Sequence, residues 1–225
     1  MKKIAVAIDG PAAAGKSTVA KKVADILKIT YIDTGAMYRA FTWYAIKKGV
    51  NCQDEEACNK LIPEVNIELK PGHIVLCNGE DVSSDIRQPW VSSQVSYIAS
   101  YKQIRLFLVE QQRKMAEKDS VVMDGRDIGT YVLPNAEVKI YQIASVETRA
   151  VRRYEENLSK GIPCTLEEIE NDVRRRDYID SHRDFAPLKP AADSVLLDTS
   201  YLSIDESVEK VLEIINKKIG EETDA

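Results

Sequence analysis

The chain has 225 residues, 44% hydrophobic and 30% charged, with 31 Lys and Arg against 36 Asp and Glu and a net charge of −5. That length holds one α/β domain with a real core and an insertion or two, and the acidic balance argues against a duplex nucleic-acid partner, whose binders carry a basic excess. Cys52, Cys58, Cys77 and Cys164 form no CxxC pair and no His/Cys metal spacing, and no stretch reaches the about 20 apolar residues of a membrane helix, so the chain reads as a cytoplasmic protein with reduced thiols.

Ile4-Ala5-Val6-Ala7-Ile8 is an apolar run that stops at Asp9-Gly10-Pro11, the pattern of a strand buried on both faces of a parallel sheet. After Met1-Lys2-Lys3 it is too short for a signal-peptide core. A helix is predicted from Lys16, with Val19, Ala20, Val23, Ala24 and Leu27 on one stripe, then a strand over 29–32 and a helix over 37–48 closed by Gly49. Between 50 and 100 the pattern changes. Strand-like runs at 65–69, 73–77 and 81–83 are separated by Pro71-Gly72 and Asn78-Gly79, and Asn-Gly between such runs signals a hairpin. Helical pieces at 55–62 and 90–99 flank this small antiparallel insertion.

A long amphipathic helix over 102–118 leads to a strand at 121–123 that ends in Asp124-Gly125, and another strand covers 138–143. Ser145 caps a helix running to about Lys160 and ended by Gly161. Thr165 with Glu168, and Ser203 with Glu206, have capping-box spacing and open two more helices on either side of a last core strand at 194–197. Residues 221–225 are expected to fray. Strands separated by helices imply βαβ crossovers and an α/β fold with a five-stranded parallel sheet flanked by helices.

Gly10-Pro11-Ala12-Ala13-Ala14-Gly15-Lys16-Ser17 fits G-x-x-x-x-G-K-[ST] in full, with Thr18 following, between a buried strand and a helix as the motif requires. Glycines let backbone N–H groups converge on phosphate oxygens, and the helix N-terminus adds partial positive charge. Lys16 is placed to reach the β- and γ-phosphates, and the Ser17 hydroxyl a Mg²⁺ ion. Asp124 has two readings, a carboxylate that joins Ser17 in the metal shell or a plain strand-end turn before Gly125. Such a loop indicates a nucleoside triphosphate, not a reaction. An NKxD-like segment, usual for guanine specificity, is absent from the sequence.

A small-molecule kinase needs a second anion site facing the loop, and ligands of open parallel sheets bind at the carboxyl ends of strands. Four segments offer one: Thr34 and Arg39 in Asp33-Thr34-Gly35-Ala36-Met37-Tyr38-Arg39; Ser96 and Arg105; Arg126 and Asp127; and Arg174-Arg175-Arg176-Asp177 leading to Asp180 and Arg183. Arg39 and Arg126 suit a phosphate through a charge-assisted fork, and Asp127 suits a sugar hydroxyl or an exocyclic amine. Blander readings stand beside these. Arg105 fits a solvated charge equally well, and Asp180 a turn cap. Arg149, Arg152, Arg153 and Arg174-Arg175-Arg176 fit helix-surface pairs with Glu155, Glu156, Glu168 and Glu170. His73 and His182 read as surface histidines.

Taken together, IDGPAAAGKST, DTGAMYR, MDGRDIGT, RRRD and APLKPAAD with LLDTS resemble, in type, order and spacing, the bacterial cytidylate kinase family of nucleoside monophosphate kinases, from residue 4 to about 217. The insertion is similar to that family's extra sheet. The chain departs in the Ala12-Ala13-Ala14 middle of the loop and in Ser17, where many members have glycine. The resemblance implies ATP-dependent, Mg²⁺-assisted, in-line phosphorylation of CMP or dCMP. It implies that residues 10–18 with Arg149 and Arg153 hold ATP, and that Ser17 and Asp124 hold the metal. Thr34, Arg39, Ser96, Arg105, Arg126, Asp127, Arg176, Asp180 and Arg183 would hold CMP, with Ser96, Arg126 and Asp127 at the cytosine. Arg39, Arg126, Arg176 and Arg183 would clamp phosphate, and Lys16, Arg126, Asp127, Arg176 and Arg183 would carry catalysis. One unit is expected, with core 1–34, 102–148 and 190–220, an acceptor-binding region at about 35–101 and a helical lid at about 149–189. A monomer on small-molecule substrates, with neither nucleic acid nor membrane as partner, completes the expectation. Another small-molecule P-loop kinase, for UMP, dTMP or shikimate, or a nucleotide-binding module without turnover, is the alternative; the first leaves the insertion and Asp124-Gly125-Arg126-Asp127 unexplained, and intact Lys16, Ser17, Asp124 and the arginine set argue against the second.

Overall fold

The structure, a computed structural model, describes residues 3–223. Val6, Ala7 and Ile8 of β1 (Ala5–Asp9) are buried, as an apolar run covered on both faces must be. Helix α1 (Lys16–Leu27), β2 (Thr30–Asp33) and α2 (Thr34–Lys47) follow. Helix α2 starts three residues before the expected Met37 because Asp33 caps it, Oδ1 accepting the Ala36 N–H at 2.7 Å.

The insertion begins with α3 (Glu55–Asn59), shorter than the expected 55–62 because Pro63 disfavours helix at the residue before it, and a 3₁₀ turn (Ile62–Glu64) takes over. Strands β3 (Ile67–Lys70), β4 (Ile74–Cys77) and β5 (Glu80–Asp81) form an antiparallel sheet in that order. Asn78 and Gly79 both have positive φ, 52° and 82°, the type I′ geometry that Asn-Gly favours. Strand β5 stops after two residues because the Asp81 carboxylate takes the Ser83 N–H, and Ser83 Oγ accepts the Val75 N–H that a longer ladder would have used. In place of one helix over 90–99 stand two short ones, α4 (Pro89–Ser92) and α5 (Val95–Ile98). The Ser93 carbonyl between them accepts Arg175 Nη2 at 2.9 Å.

Helix α6 (Lys102–Ala116) returns the chain to the main sheet as β6 (Val121–Gly125). A π-helical turn, Ile128–Val132, that the sequence pattern did not announce precedes β7 (Val138–Ile143). Helices α7 (Val146–Ser159) and α8 (Leu166–His182) pack on each other, and β8 (Val195–Asp198) and α9 (Ile204–Thr223) complete the fold. The expected capping box opens α8, and α9 continues into the stretch expected to fray from 221; Asp224 and Ala225 lie outside the described residues.

The main sheet is parallel throughout, in the order β2-β6-β1-β7-β8. Its register sets Asp33 beside Asp124, and Asp9 between Gly125 and Tyr141, so three strand-end carboxylates gather at one edge. Val19, Val23, Val211 and Ile215 of α1 and α9 cover one sheet face, and Val109, Ile128 and Val132 cover the other. A third cluster, around Phe41, Val75, Ile86, Ile98 and Leu108 with Cys52, Cys58 and Cys77, gives the insertion its own core against α2 and α6. Among the described residues no helix is long and apolar enough to cross a membrane.

Candidate active site

The loop between β1 and α1 is held from behind. Gly10 has φ 152°, and a Cβ there would lie 1.9 Å from the Gln142 carbonyl oxygen, so only glycine fits. The Pro11 carbonyl accepts Lys16 Nζ at 2.7 Å, the Ala12 carbonyl accepts Arg149 Nη1 at 3.0 Å, and the Ala14 carbonyl accepts Gln142 Nε2 at 2.7 Å. A trans peptide whose C=O is bound on one side turns its N–H to the other. Ala13 to Thr18 line a cleft of about 720 Å³, with Gly10, Pro11 and Ala12 seated behind them. Burial, then the nearby Arg126, pushes Lys16 far below the usual lysine range, to about 7, against the pull of Asp124 and Asp9.

The side chain of Asp124 faces the loop. Oδ2 accepts Ser17 Oγ at 2.8 Å and Oδ1 accepts the Tyr31 hydroxyl at 2.7 Å, while burial, then Asp33, raises its pKa. Hydroxyl and carboxylate oxygens side by side are the hard donors that suit Mg²⁺.

Across the cleft stands a cluster of guanidinium and carboxylate groups. Arg105 is 1% exposed, pairs with Asp127 Oδ2 and donates to the Ala99 carbonyl at 3.0 Å, so it is no solvated charge. Arg183 Nη2 lies 3.3 Å from Asp127 Oδ1, and its Nη1 shares the Ala99 carbonyl. Asp127 is therefore gripped through both oxygens. Arg126 Nε donates to Asp180 Oδ2 at 2.8 Å, which makes Asp180 a buried ion-pair member and no turn cap. Burial would raise the Asp180 carboxyl, but Arg126, then Arg183 and Arg176, hold it low. Arg176 lines the cleft, its Nε has no partner, and burial followed by Arg126 lowers it to about 10. Ser96 is buried at the cleft wall. Thr34 Oγ1 donates to the Asp124 carbonyl, and Arg39 Nη2 sits 3.1 Å from Asp33.

Arg149 does not line the cleft with the other expected arginines. Arg149, expected to meet the triphosphate, is buried away from the cleft, donating to the Ala12 and Ala144 carbonyls and pairing with Asp177 of α8 at 2.7 Å. It braces the loop against the α7–α8 pair. Arg153 does line the cleft and pairs with Glu156, while Arg174 is a surface partner of Glu170, as the blander reading had it. His73 and His182 are exposed, packed on Tyr31 and Tyr178 respectively.

Sequence reasoning missed Arg87, Tyr38, Gln142 and Arg152, all on the cleft wall, and Asp9 and Tyr31 around it. Gln142, a buried amide between Tyr141 and Ile143 at the carboxyl end of β7, was the one visible signal. Arg152 Nη2 donates to the Thr199 and Leu202 carbonyls, and Leu202 and Ile204 add apolar surface at the outer end of the cleft.

A model of the cytidylate kinase family matches residues 6–217. Cytidylate kinase of Geobacillus kaustophilus (strain HTA426) is 54% identical over 222 residues, covering 97% of this chain and 99% of that protein. Cytidylate kinase of Anoxybacillus flavithermus (strain DSM 21510 / WK1) is 51% identical over 221 residues, covering 97% and 98%. An uncharacterized protein from Eubacterium ventriosum ATCC 27560 has a similar fold, with a TM-score of 0.55 at 16% identity over 96% of this chain and 99% of that one. With phosphate loop and guanidinium cluster facing one cleft, and such identity along nearly the whole length, the chain belongs to the cytidylate kinase family.

Proposed function

We propose that the chain transfers the γ-phosphoryl group of ATP to CMP and dCMP, giving CDP and dCDP, by direct in-line displacement. The observation that carries the acceptor is Asp127. Bound by Arg105 and Arg183, it stands on the cleft wall opposite the phosphate loop and offers lone pairs to a ligand. An acceptor-only group favours the exocyclic amine of cytosine over the carbonyl that uracil has at the same position.

The transition state of phosphoryl transfer is loose and spreads charge over the moving group, so positioning and fixed charge supply most of the rate. Lys16 holds the donor phosphates on the loop side. Arg39, Arg126, Arg176 and Arg183 hold the acceptor phosphate and meet the charge that develops between the two nucleotides. Burial, then repulsion from Arg126, lowers Arg176, and an anion between the two guanidinium groups relieves that repulsion. Ser17 and Asp124 would hold Mg²⁺, which neutralises phosphate charge when bound. Thr34, Ser96 and Asp180 complete the acceptor site, and Thr18, Arg152 and Arg153 the ATP site.

Residues 35–101 then form the acceptor-binding arm and 149–189 a lid that excludes water, on a core of 1–34, 102–148 and 190–220. A cytoplasmic monomer acting on small molecules fits the acidic balance of the chain. An acceptor panel of CMP, dCMP, UMP, AMP, dTMP and shikimate in a coupled assay tests the reading. CMP and dCMP are expected to exceed the rest in kcat/KM; a stronger acceptor among the others, or none, refutes it.

Lys16 gives a second test. Its free value is about 7, and a bound triphosphate raises it, so near pH 8, above that value, ATP binding takes up a proton and weakens as pH rises further. Calorimetry in buffers of different ionisation enthalpy reads the uptake directly. Proton release, or the same uptake in Lys16→Ala, counts against it.

A further inference from the structure

Asp9 closes β1 immediately before the phosphate loop, is 5% exposed and does not line the cleft. Its carboxylate turns to residues 119 and 120 positions later: Oδ1 accepts the Ile128 N–H and Oδ2 the Gly129 N–H, each at 2.7 Å. These amides open the turn Ile128–Val132, whose first N–H groups have no partner within the turn itself. Two carboxylate oxygens satisfy both, and so fix the peptide plane that follows Asp127. On the other side of that peptide, the Asp127 carbonyl accepts the Tyr131 and Val132 N–H groups at 2.8 and 3.1 Å. With φ −149° and ψ 27°, Asp127 belongs to neither a regular helix nor a strand, and its surroundings hold it there.

We propose that Asp9 is a positioning residue for acceptor recognition: it fixes the backbone after Asp127 so that the Asp127 carboxylate meets Arg105 and Arg183, tying the root of the phosphate loop to the pocket that reads the pyrimidine. The inference rests on the role given to Asp127 above. The loop backbone is braced by other groups, Gln142 on Ala14, Arg149 on Ala12 and Lys16 on Pro11, so loss of the Asp9 carboxylate leaves the shape of the loop in place and removes from the ATP side only one of the two strand-end carboxylates that favour the Lys16 charge.

The test is Asp9→Asn, which keeps the shape and one acceptor oxygen but sets an amide N–H against a backbone N–H. KM for CMP is expected to rise at least about tenfold, and KM for ATP to change by less than about threefold, with the CMP-over-UMP preference in kcat/KM narrowed. Equal losses toward both nucleotides, or a fall in kcat alone, overturn the proposal. Gly129→Ala pushes on the same contact from the acceptor side, its Cβ meeting Lys139 Cδ at 3.1 Å and Asp9 Oδ2 at 3.4 Å. It should show the same acceptor-selective loss, and it decides the matter if Asp9→Asn shows no thermal upshift with ATP and so does not fold. A wild-type protein that prefers another acceptor would refute the proposed function alone; the split in KM is then read with that acceptor, and an unselective loss still sinks the role of Asp9.

Discussion

Lys16→Ala is expected to lower kcat by about 10³-fold or more while CMP still binds, a loss of about 4 kcal/mol in transition-state stabilisation. Lys16 is nearly inaccessible, and its Nζ is bound to the Pro11 carbonyl of its own loop at 2.7 Å. Burial, then Arg126, disfavours its positive charge, and the phosphates of a bound nucleotide would restore it. Alanine removes that charge and relieves the repulsion with Arg126, so the fold should survive with an unchanged or raised Tm. Arg105, Asp127 and Arg183, proposed above for the acceptor, bond to one another and to the Ala99 carbonyl and not to Lys16, so calorimetry should give a CMP Kd within about threefold of wild type. Turnover retained within tenfold would show that the charge on the transferring phosphoryl group is met elsewhere.

What the sequence made legible is what depends on neighbours along the chain. Strand β1 could be read because a strand buried on both faces is apolar without interruption, and the phosphate loop because glycine, lysine and serine spacing is dictated by one local turn. The capping box of Thr165 and Glu168 is local in the same way. The missed features depend on partners far away in sequence. Asp33 could be taken for the end of a strand, since nothing in the pattern says that its side chain turns forward to cap α2. Arg149 lies one turn into a helix near the carboxyl end of the sheet, where a phosphate contact is reasonable, yet its guanidinium turns back to Ala12, 137 positions earlier. Asp9 reaches Ile128 and Gly129 across the sheet edge. Which carboxylate pairs with which arginine is likewise a three-dimensional fact: Arg105 and Arg183 share Asp127, while Arg126 takes Asp180.

Arg176→Ala is expected to cost kcat/KM for CMP about 10³-fold, in the range of 2–5 kcal/mol for a buried charged contact removed from one side. The structure separates this arginine from its neighbours in the RRRD segment. Arg174 is satisfied by Glu170 at the surface, and Arg175 by Asp172 and the Ser93 carbonyl. Arg176 alone of the three lines the cleft, and its Nε has no partner there. Its charge is costly without ligand: burial and Arg126 both oppose it, so the variant should be as stable as wild type or more so in the ligand-free state. The same variant should lose most of the thermal upshift that CMP gives wild type, because the phosphate no longer relieves the Arg126 repulsion through a second guanidinium. Lysine at this position restores the charge without the planar fork and should recover only part of the rate. An effect below about tenfold on kcat/KM, or a destabilised ligand-free protein, would place Arg176 in the scaffold of α8 and leave the acceptor phosphate to Arg39, Arg126 and Arg183.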